Sequence, residues 1–327
     1  MQYQTRQVES GNAAVAPRIA RAAALTLLVL VAFSSQAFAS GQDEGDKGTK
    51  GLTPSDEILV SPEWVKNRSE DVVILEHARG REKFSKGHIP GAVYVPREVT
   101  WDKVDGLNGM LPAPETVAAD LGGLGVSHDT EVVVYDGGSG LWASRLFWAL
   151  EYLGHSDVHL LDGGLKAWKQ AGYEVSTEVT VPEQTAFEPK LRESLLAEQG
   201  YIEENIENDD FLVIDTRSRE EYVGEEKRSA RNGHIPGAVN VNWTENLPES
   251  QGESFRPVSG LASVYQELLE GREGPAVTLC QTGVRGAHTY VALRVLGHED
   301  ARLYDGSWEE WGNAENTPIA GGQSGSS

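Results

Sequence analysis

The sequence predicts an α/β protein of two tandem domains, each a mostly parallel sheet with helices on both faces, and three observations predict it. The heptapeptide Gly87-His88-Ile89-Pro90-Gly91-Ala92-Val93 recurs as Gly233-His234-Ile235-Pro236-Gly237-Ala238-Val239. The landmarks that follow it recur in the same order: Val132-Val133-Val134-Tyr135-Asp136 answers to Ala276-Val277-Thr278-Leu279-Cys280, Leu153-Gly154-His155 to Leu296-Gly297-His298, and Asp162-Gly163 with Trp168 to Asp305-Gly306 with Trp311. Spacing agrees as well, with 49 positions from Gly87 to Asp136, 47 from Gly233 to Cys280, and seven from each histidine to the following aspartate. Self-similarity of this kind marks a repeated structural unit. Within each unit, short apolar runs alternate with helix-period segments, the pattern of a parallel sheet covered by helices.

In chain order, Arg18 and Arg21 precede an apolar run from Ala22 to Phe33 and the small-residue site Ala37-Phe38-Ala39. The run is too short to span a bilayer as a helix, and the pattern is that of a secretory signal peptide over residues 1–39, cleaved after Ala39; an uncleaved membrane anchor is the alternative. No later segment is apolar enough to cross a membrane, so the mature protein is expected in the periplasm, exported and free of the membrane. Residues 40–54 are a polar, glycine-rich flexible leader. Ser61-Pro62-Glu63-Trp64 has the cap and first-turn proline of a helix start. Val72–Leu75 is a short unbroken apolar run, as a strand buried on both faces shows.

The first domain is expected over 55–175, a linker with Pro182 and Pro189 over 176–192, the second domain over 193–320 and a frayed tail over 321–327. In the second domain Phe211–Ile214, Gly237–Val241, Ala276–Leu279 and Ala301–Tyr304 are the expected strands. Val284, Ala287, Tyr290, Val291, Leu293, Val295 and Leu296 keep helical spacing between the last two. The paired Pro90-Gly91 and Pro236-Gly237 suit the central positions of type II turns, where glycine takes positive φ at low cost; that makes the repeated heptapeptide structural punctuation.

The chain has 327 residues, room for two ordinary domains, and a formal charge of −22; loss of residues 1–39, with three arginines and one glutamate, takes it to −24. Such a field repels nucleic acid and anionic lipid, so an anionic substrate would need local positive charge. There is one cysteine, Cys280. It closes an apolar strand and precedes a helix, where unpaired backbone N–H groups favour thiolate over thiol. A free cysteine is also commonly a small buried hydrophobe. Export tips the balance, since a lone thiol in an oxidising compartment has no internal partner and is a liability unless used. The first unit carries Asp136 at the equivalent position, followed by Gly137-Gly138-Ser139-Gly140. A carboxylate there can bind the turn's N–H groups but cannot accept sulfur, so one copy is expected to do chemistry and the other to pack against it.

Two tandem units, the repeated Gly-His-Ile-Pro-Gly-Ala, an Asp-headed loop in the first and a Cys-headed loop in the second resemble the two-domain rhodanese family of sulfurtransferases over nearly all of residues 55–320. The resemblance implies that Cys280 takes the outer sulfur of a donor as a persulfide and passes it to a thiophilic acceptor such as cyanide. Residue chemistry fits: a thiolate attacks the donor's sulfane sulfur, and the loop Gln281, Thr282, Gly283, Val284 and Arg285 offers N–H donors and one permanent cation to the anions formed. Arg285 is the first candidate for donor contact, with a structural ion pair to Asp215 or another carboxylate as its alternative role. Arg217 is the second candidate, and His288 is expected to be a packing or surface residue and not a proton donor. No cofactor and no metal are expected, and the protein is expected to be a monomer.

A cysteine phosphatase is the rival enzyme class, but its cysteine and arginine are separated by five residues, whereas four lie between Cys280 and Arg285; the smaller ring suits a sulfur atom. A persulfide carrier is the non-enzymatic rival. The Gln281-Thr282 loop matches neither the loops that resemble 3-mercaptopyruvate enzymes nor those of thiosulfate enzymes. The segments Arg285 to Tyr290 and Tyr304-Asp305-Gly306-Ser307-Trp308 look more like thiosulfate sulfurtransferases, which makes thiosulfate the expected donor and 3-mercaptopyruvate the alternative.

Overall fold

A computed structural model of the protein describes residues 55, 57–249, 254–272 and 274–321. The expected signal peptide, the leader and the tail beyond Gly321 lie outside them. The first half runs β1 (Leu59–Val60), α1 (Pro62–Arg68), β2 (Val73–His77), α2 (Arg81–Ser85), β3 (Val93–Val95), β4 (Asp102–Val104), β5 (Leu107–Met110), α3 (Pro114–Gly123), β6 (Val132–Tyr135), α4 (Leu141–Tyr152), β7 (Val158–Leu161) and α5 (Gly164–Gln170). The second runs β8 (Leu196–Ala197), α6 (Gln199–Asn205), β9 (Leu212–Asp215), α7 (Arg219–Val223), β10 (Val239–Asn240), α8 (Val258–Leu269), β11 (Ala276–Leu279), α9 (Val284–Val295), β12 (Ala301–Tyr304) and α10 (Ser307–Trp311).

Each half holds a five-stranded sheet, ordered β1-β7-β6-β2-β3 in the first and β8-β12-β11-β9-β10 in the second, and every pairing within the two sheets is parallel. The repeat read from the sequence is thus a repeat of topology strand for strand. Strands β11 and β12 span Ala276–Leu279 and Ala301–Tyr304, as the apolar runs predict. The expected strand Gly237–Val241 is paired only over Val239–Asn240. Ser61 caps α1 by accepting from the Trp64 N–H, with Pro62 in the first turn.

In both copies of the heptapeptide the amide after Pro-Gly bonds back to the isoleucine carbonyl, Ala92 to Ile89 and Ala238 to Ile235, with φ +83° at Gly91 and +79° at Gly237. These are the type II turns that the Pro-Gly pairs call for. The histidines pack as well: His88 stacks on Phe84 and bonds the carbonyls of Phe84 and Glu178, and His234 stacks on Tyr222 and bonds its carbonyl.

Because side chains alternate across a strand, neighbouring residues of one strand join different cores. Val132 and Val134 of β6 face a core with α4, whereas Val133 and Tyr135 face a second core with Leu165 and Trp168 of α5. In the second half Leu212, Ile214, Ala301 and Leu303 join the same core as Val132, while Val277 and Leu279 join a third with Trp308 and Trp311. The middle core is therefore common to both halves, through the packing of α4 against α9. The Tyr290 hydroxyl of α9 donates to Glu151 of α4 at 2.6 Å, and Arg294 lies 3.2 Å from the same carboxylate. At about 1.5–3 kcal/mol for each large apolar side chain buried, this shared layer is a principal source of the stability of both halves. Residues 176–192 lie against the first half, with the Thr185 amide on the Gly122 carbonyl, the Lys190 amide on that of Leu153, and Phe187 buried.

Candidate functional site

β11 ends at Leu279, and the chain turns through Cys280, Gln281, Thr282 and Gly283 before α9 starts at Val284. The turn can be this tight because Gly283, the residue that caps the helix, sits at φ +77°, a left-handed conformation that costs glycine little. The Cys280 carbonyl accepts from the Trp308 amide and that of Gln281 from the Glu309 amide, both at 2.9 Å. The N–H groups of Cys280 and Gly283 both donate to the Ser307 hydroxyl, at 3.2 and 3.1 Å. Those of Gln281 and Thr282 have no partner among the described residues. Cys280 is a free thiol with 1% of its surface exposed. Burial alone fits a small hydrophobe as well as a nucleophile; what separates the two is the polar, cationic ring on one side of the thiol.

Arg285, one residue into α9, supplies that cation. Its guanidinium forks onto Glu221 of α7, Nη1 to Oε2 at 2.6 Å and Nη2 to Oε1 at 2.9 Å. Arg228 reaches the same carboxylate at 3.4 Å. Burial works against the charge on Arg285, but the hydrogen bonds with Glu221 and the proximity of Cys280 outweigh it and hold the guanidinium above its ordinary range. Burial likewise pushes the Glu221 carboxyl up, and its bonds with Arg285, Ser218 and Arg228 more than reverse this, to about 2. Arg228 also pairs with Glu226 at 2.8 Å, so the two arginines and two glutamates near the turn balance, and Arg285 is the cation placed nearest the thiol. The ion pair that is the alternative role for Arg285 is present, and its partner among the carboxylates is Glu221.

Arg217 is where the sequence reading needs correction. Asp215 ends β9, and its carboxylate accepts from Arg217 Nε at 2.9 Å and lies 2.5 Å from Nη2, which also donates to the Gly233 carbonyl at 2.7 Å. The guanidinium stacks 4.3 Å over Trp308 and is buried. It staples the repeated heptapeptide to the sheet and is not open to a donor. Its counterpart does the same in the half without a thiol: Arg79 pairs with Glu76 of β2 and donates to the Gly87 carbonyl at 2.8 Å.

Gln281 donates from Nε2 to the Ser229 hydroxyl at 3.0 Å. Thr282 accepts from the Trp101 indole at 3.3 Å, a bond across the two halves. Val284 is buried. His288 packs as expected, stacked on Phe255 with its ring nitrogens near the Asn246 amide and the Ser139 carbonyl; burial holds its pKa down at about 4.

Five contributors escaped the sequence reading. Glu221 closes a capping box with Ser218, a Ser-x-x-Glu signal legible in the sequence but silent about Arg285. Ser307 is the residue by which Asp305-Gly306-Ser307 departs from Asp162-Gly163-Gly164. Trp101 and the antiparallel hairpin β4–β5 come from the first half, which therefore does more than pack: Asn108 donates to Glu309 at 2.7 Å beside the turn. Arg145 of α4, fully buried, pairs with Asp305 at 2.6 Å. A Cβ placed on Gly283 would lie 2.7 Å from Arg145 Nη1, so this ion pair lies directly behind the turn. The two halves meet there symmetrically, since Asp305 accepts from the Leu111 amide at 2.8 Å and Asp162 from the Phe255 amide at 3.1 Å.

A family model described as a rhodanese-like domain matches residues 61–171 and 198–314. The chain is 34% identical over 248 residues to a thiosulfate sulfurtransferase of Pseudomonas aeruginosa, covering 76% of this chain and 90% of that protein. It is 33% identical over 284 residues to the sulfur carrier protein TtuD of Thermus thermophilus, covering 82% and 98%. Among solved structures, SseA from Escherichia coli, described as a 3-mercaptopyruvate sulfotransferase with the rhodanese fold, superposes with a TM-score of 0.68 at 29% identity, covering 76% of this chain and 98% of that one.

Proposed function

The chain belongs to the rhodanese-like family, and on that premise we propose that it is a sulfurtransferase that takes sulfane sulfur from thiosulfate onto Cys280 and delivers it to a thiophilic acceptor. The Cys280 thiolate forms a bond to the outer sulfur of thiosulfate as that sulfur's bond to the sulfonate sulfur breaks, and the electron pair leaves on sulfite. The resulting persulfide anion is attacked at its terminal sulfur by an acceptor such as cyanide, which departs as thiocyanate and returns the thiolate. No net electrons enter or leave, and the kinetics are those of a covalent, two-step exchange.

The observation that carries the reading is the single thiol set in a turn whose arginine is held by a bidentate carboxylate, with a second arginine beside it. The Arg285 guanidinium favours both the dianionic donor and the persulfide anion, which the protein's overall field opposes. Two free turn N–H groups add donors to the same side. A second reading, a persulfide carrier that hands sulfur to a partner, draws support from the likeness to the Thermus carrier protein. Export to the periplasm belongs to the same proposal and rests on the sequence of residues 1–39.

A side-by-side assay of thiosulfate and 3-mercaptopyruvate with cyanide as acceptor tests it. Thiosulfate is expected to exceed 3-mercaptopyruvate by at least about tenfold in kcat/KM, roughly 1.4 kcal/mol of transition-state preference. The reverse order makes 3-mercaptopyruvate the donor. A persulfide that forms once and does not turn over with either makes the protein a carrier.

A further inference from the structure

Ser307 opens α10, fully buried, at φ +50°. A residue other than glycine in that left-handed region costs about 1–3 kcal/mol and persists only where its surroundings impose it, commonly at functional sites. The repeat shows that the strain is peculiar to the second half. The position equivalent to Ser307 is Gly164, with φ +53°. There a Cβ would stand 2.5 Å from the Asp136 carbonyl and 3.0 Å from the Gly138 nitrogen, so the first half has no space for a serine.

The two turns also bind their N–H groups by different means. In the first, the Asp136 carboxylate lies inside the turn and accepts from Gly138 at 2.8 Å, Gly140 at 3.0 Å and Trp142 at 3.0 Å. A cysteine at that position cannot replace those bonds, because sulfur is a weak acceptor on a short stem. In the second turn the Ser307 hydroxyl accepts from the Cys280 and Gly283 N–H groups and donates to the Tyr304 carbonyl at 2.8 Å. Gly140 and Gly283 are the equivalent left-handed helix caps, so the same N–H is bound from within the turn in one half and from outside it in the other.

We propose that Ser307 is the positioning residue of the Cys280 turn: its hydroxyl takes over the anchoring that Asp136 performs in the first half, and thereby frees position 280 to carry a nucleophile. The backbone strain at Ser307 is the cost of placing that hydroxyl. The proposal rests on the reading of Cys280 as the nucleophile and goes beyond it by naming what fixes the thiol's geometry.

Two substitutions separate anchoring from strain. Ser307→Gly removes the hydroxyl and relieves the φ, so its melting temperature is expected to exceed that of Ser307→Ala, which loses the same hydroxyl. Its kcat is expected to fall by about tenfold or more at nearly unchanged KM, the effect of a misplaced reacting group. Ser307→Ala loses the hydroxyl and keeps the strain, so it should show the same fall in kcat together with a lower melting temperature. The rate of Cys280 alkylation by iodoacetamide should change in parallel with kcat in both. Alkylation needs no sulfur donor, so a wild-type protein inactive on thiosulfate, which would defeat the donor assignment, still leaves this comparison readable. Wild-type kcat and alkylation rate in Ser307→Gly, or a melting temperature as depressed as that of Ser307→Ala, overturns the proposal.

Discussion

The Asp136 turn and the Cys280 turn both begin at the C-terminal end of a central parallel strand and both end at a left-handed glycine that caps a twelve-residue helix. The first is one residue longer and filled by its own carboxylate; the second is shorter, and its anchor and its cations come from outside. Around them the halves agree closely, down to the arginine that ties a carboxylate at a strand end to the first glycine of the heptapeptide. What both copies possess is scaffold, since one copy has no thiol to serve. What differs between them, Cys280, Arg285 with Glu221, and Ser307, is the candidate chemistry. The comparison explains why Arg217, which has a counterpart in Arg79, is a staple and not a ligand.

The largest expected effect tests the difference itself. Cys280→Ser, nearly isosteric, should abolish sulfur transfer to cyanide while circular dichroism and melting temperature stay close to those of the parent. Substantial turnover by that variant would remove the thiol from the reaction and the contrast between the turns with it. Next comes the filled turn. Asp136→Ala leaves three N–H groups without their acceptor, of which only that of Gly140 is buried, so it should cost about 1–3 kcal/mol of stability by denaturant titration, the penalty for one orphaned buried group. Activity measured where the variant is still folded should change little, and a loss of activity as deep as that of Cys280→Ser would mean that the first turn takes part in the chemistry.

The smallest effect sharpens the link between the turns. His288 lies between them, on the Ser139 carbonyl, and burial lowers its pKa from 6.5 to about 4. The unfolded chain therefore binds a proton more readily than the folded one, so stability is complete above pH 6.5 and declines as pH falls toward 4. By pH 5 the loss from this one ring is about 2 kcal/mol. His288→Gln should flatten that part of the melting-temperature profile, leaving the slope from His77, which burial holds down at about 3. An unchanged profile would show that His288 is not held neutral.

Much of this was legible in the sequence because it is local or repeated. Strands β6, β11 and β12 are unbroken apolar runs, the Pro-Gly turns carry their own φ requirement, and the duplication exposed Cys280 against Asp136. The edge strands β1 and β8 were not legible: each pairs over two residues, too few for a period, and exists because a neighbouring strand offers free backbone groups. Hairpin β4–β5, Asp102–Met110, is polar and partly exposed on both strands and carries no alternation. At the site, Arg285 was found by proximity in sequence, but its partner Glu221 lies 64 positions away, and only the packing of α7 against the turn brings them together. Ser307 was visible as a mismatch with Gly164, yet a backbone angle is needed to see that the mismatch is strained.

The core shared between α4 and α9 has a bearing on how the protein fails. Trp148, Leu150, Tyr290 and Val291 belong to one layer drawn from both halves, so neither half can shed its partner without wetting its own interior. Stability is in that sense pooled. Damage to the half that lacks a thiol lowers the folded population of the half that has one, and an apolar deletion near Trp148 would be felt at elevated temperature as vanished turnover, although no atom beside the sulfur had been altered.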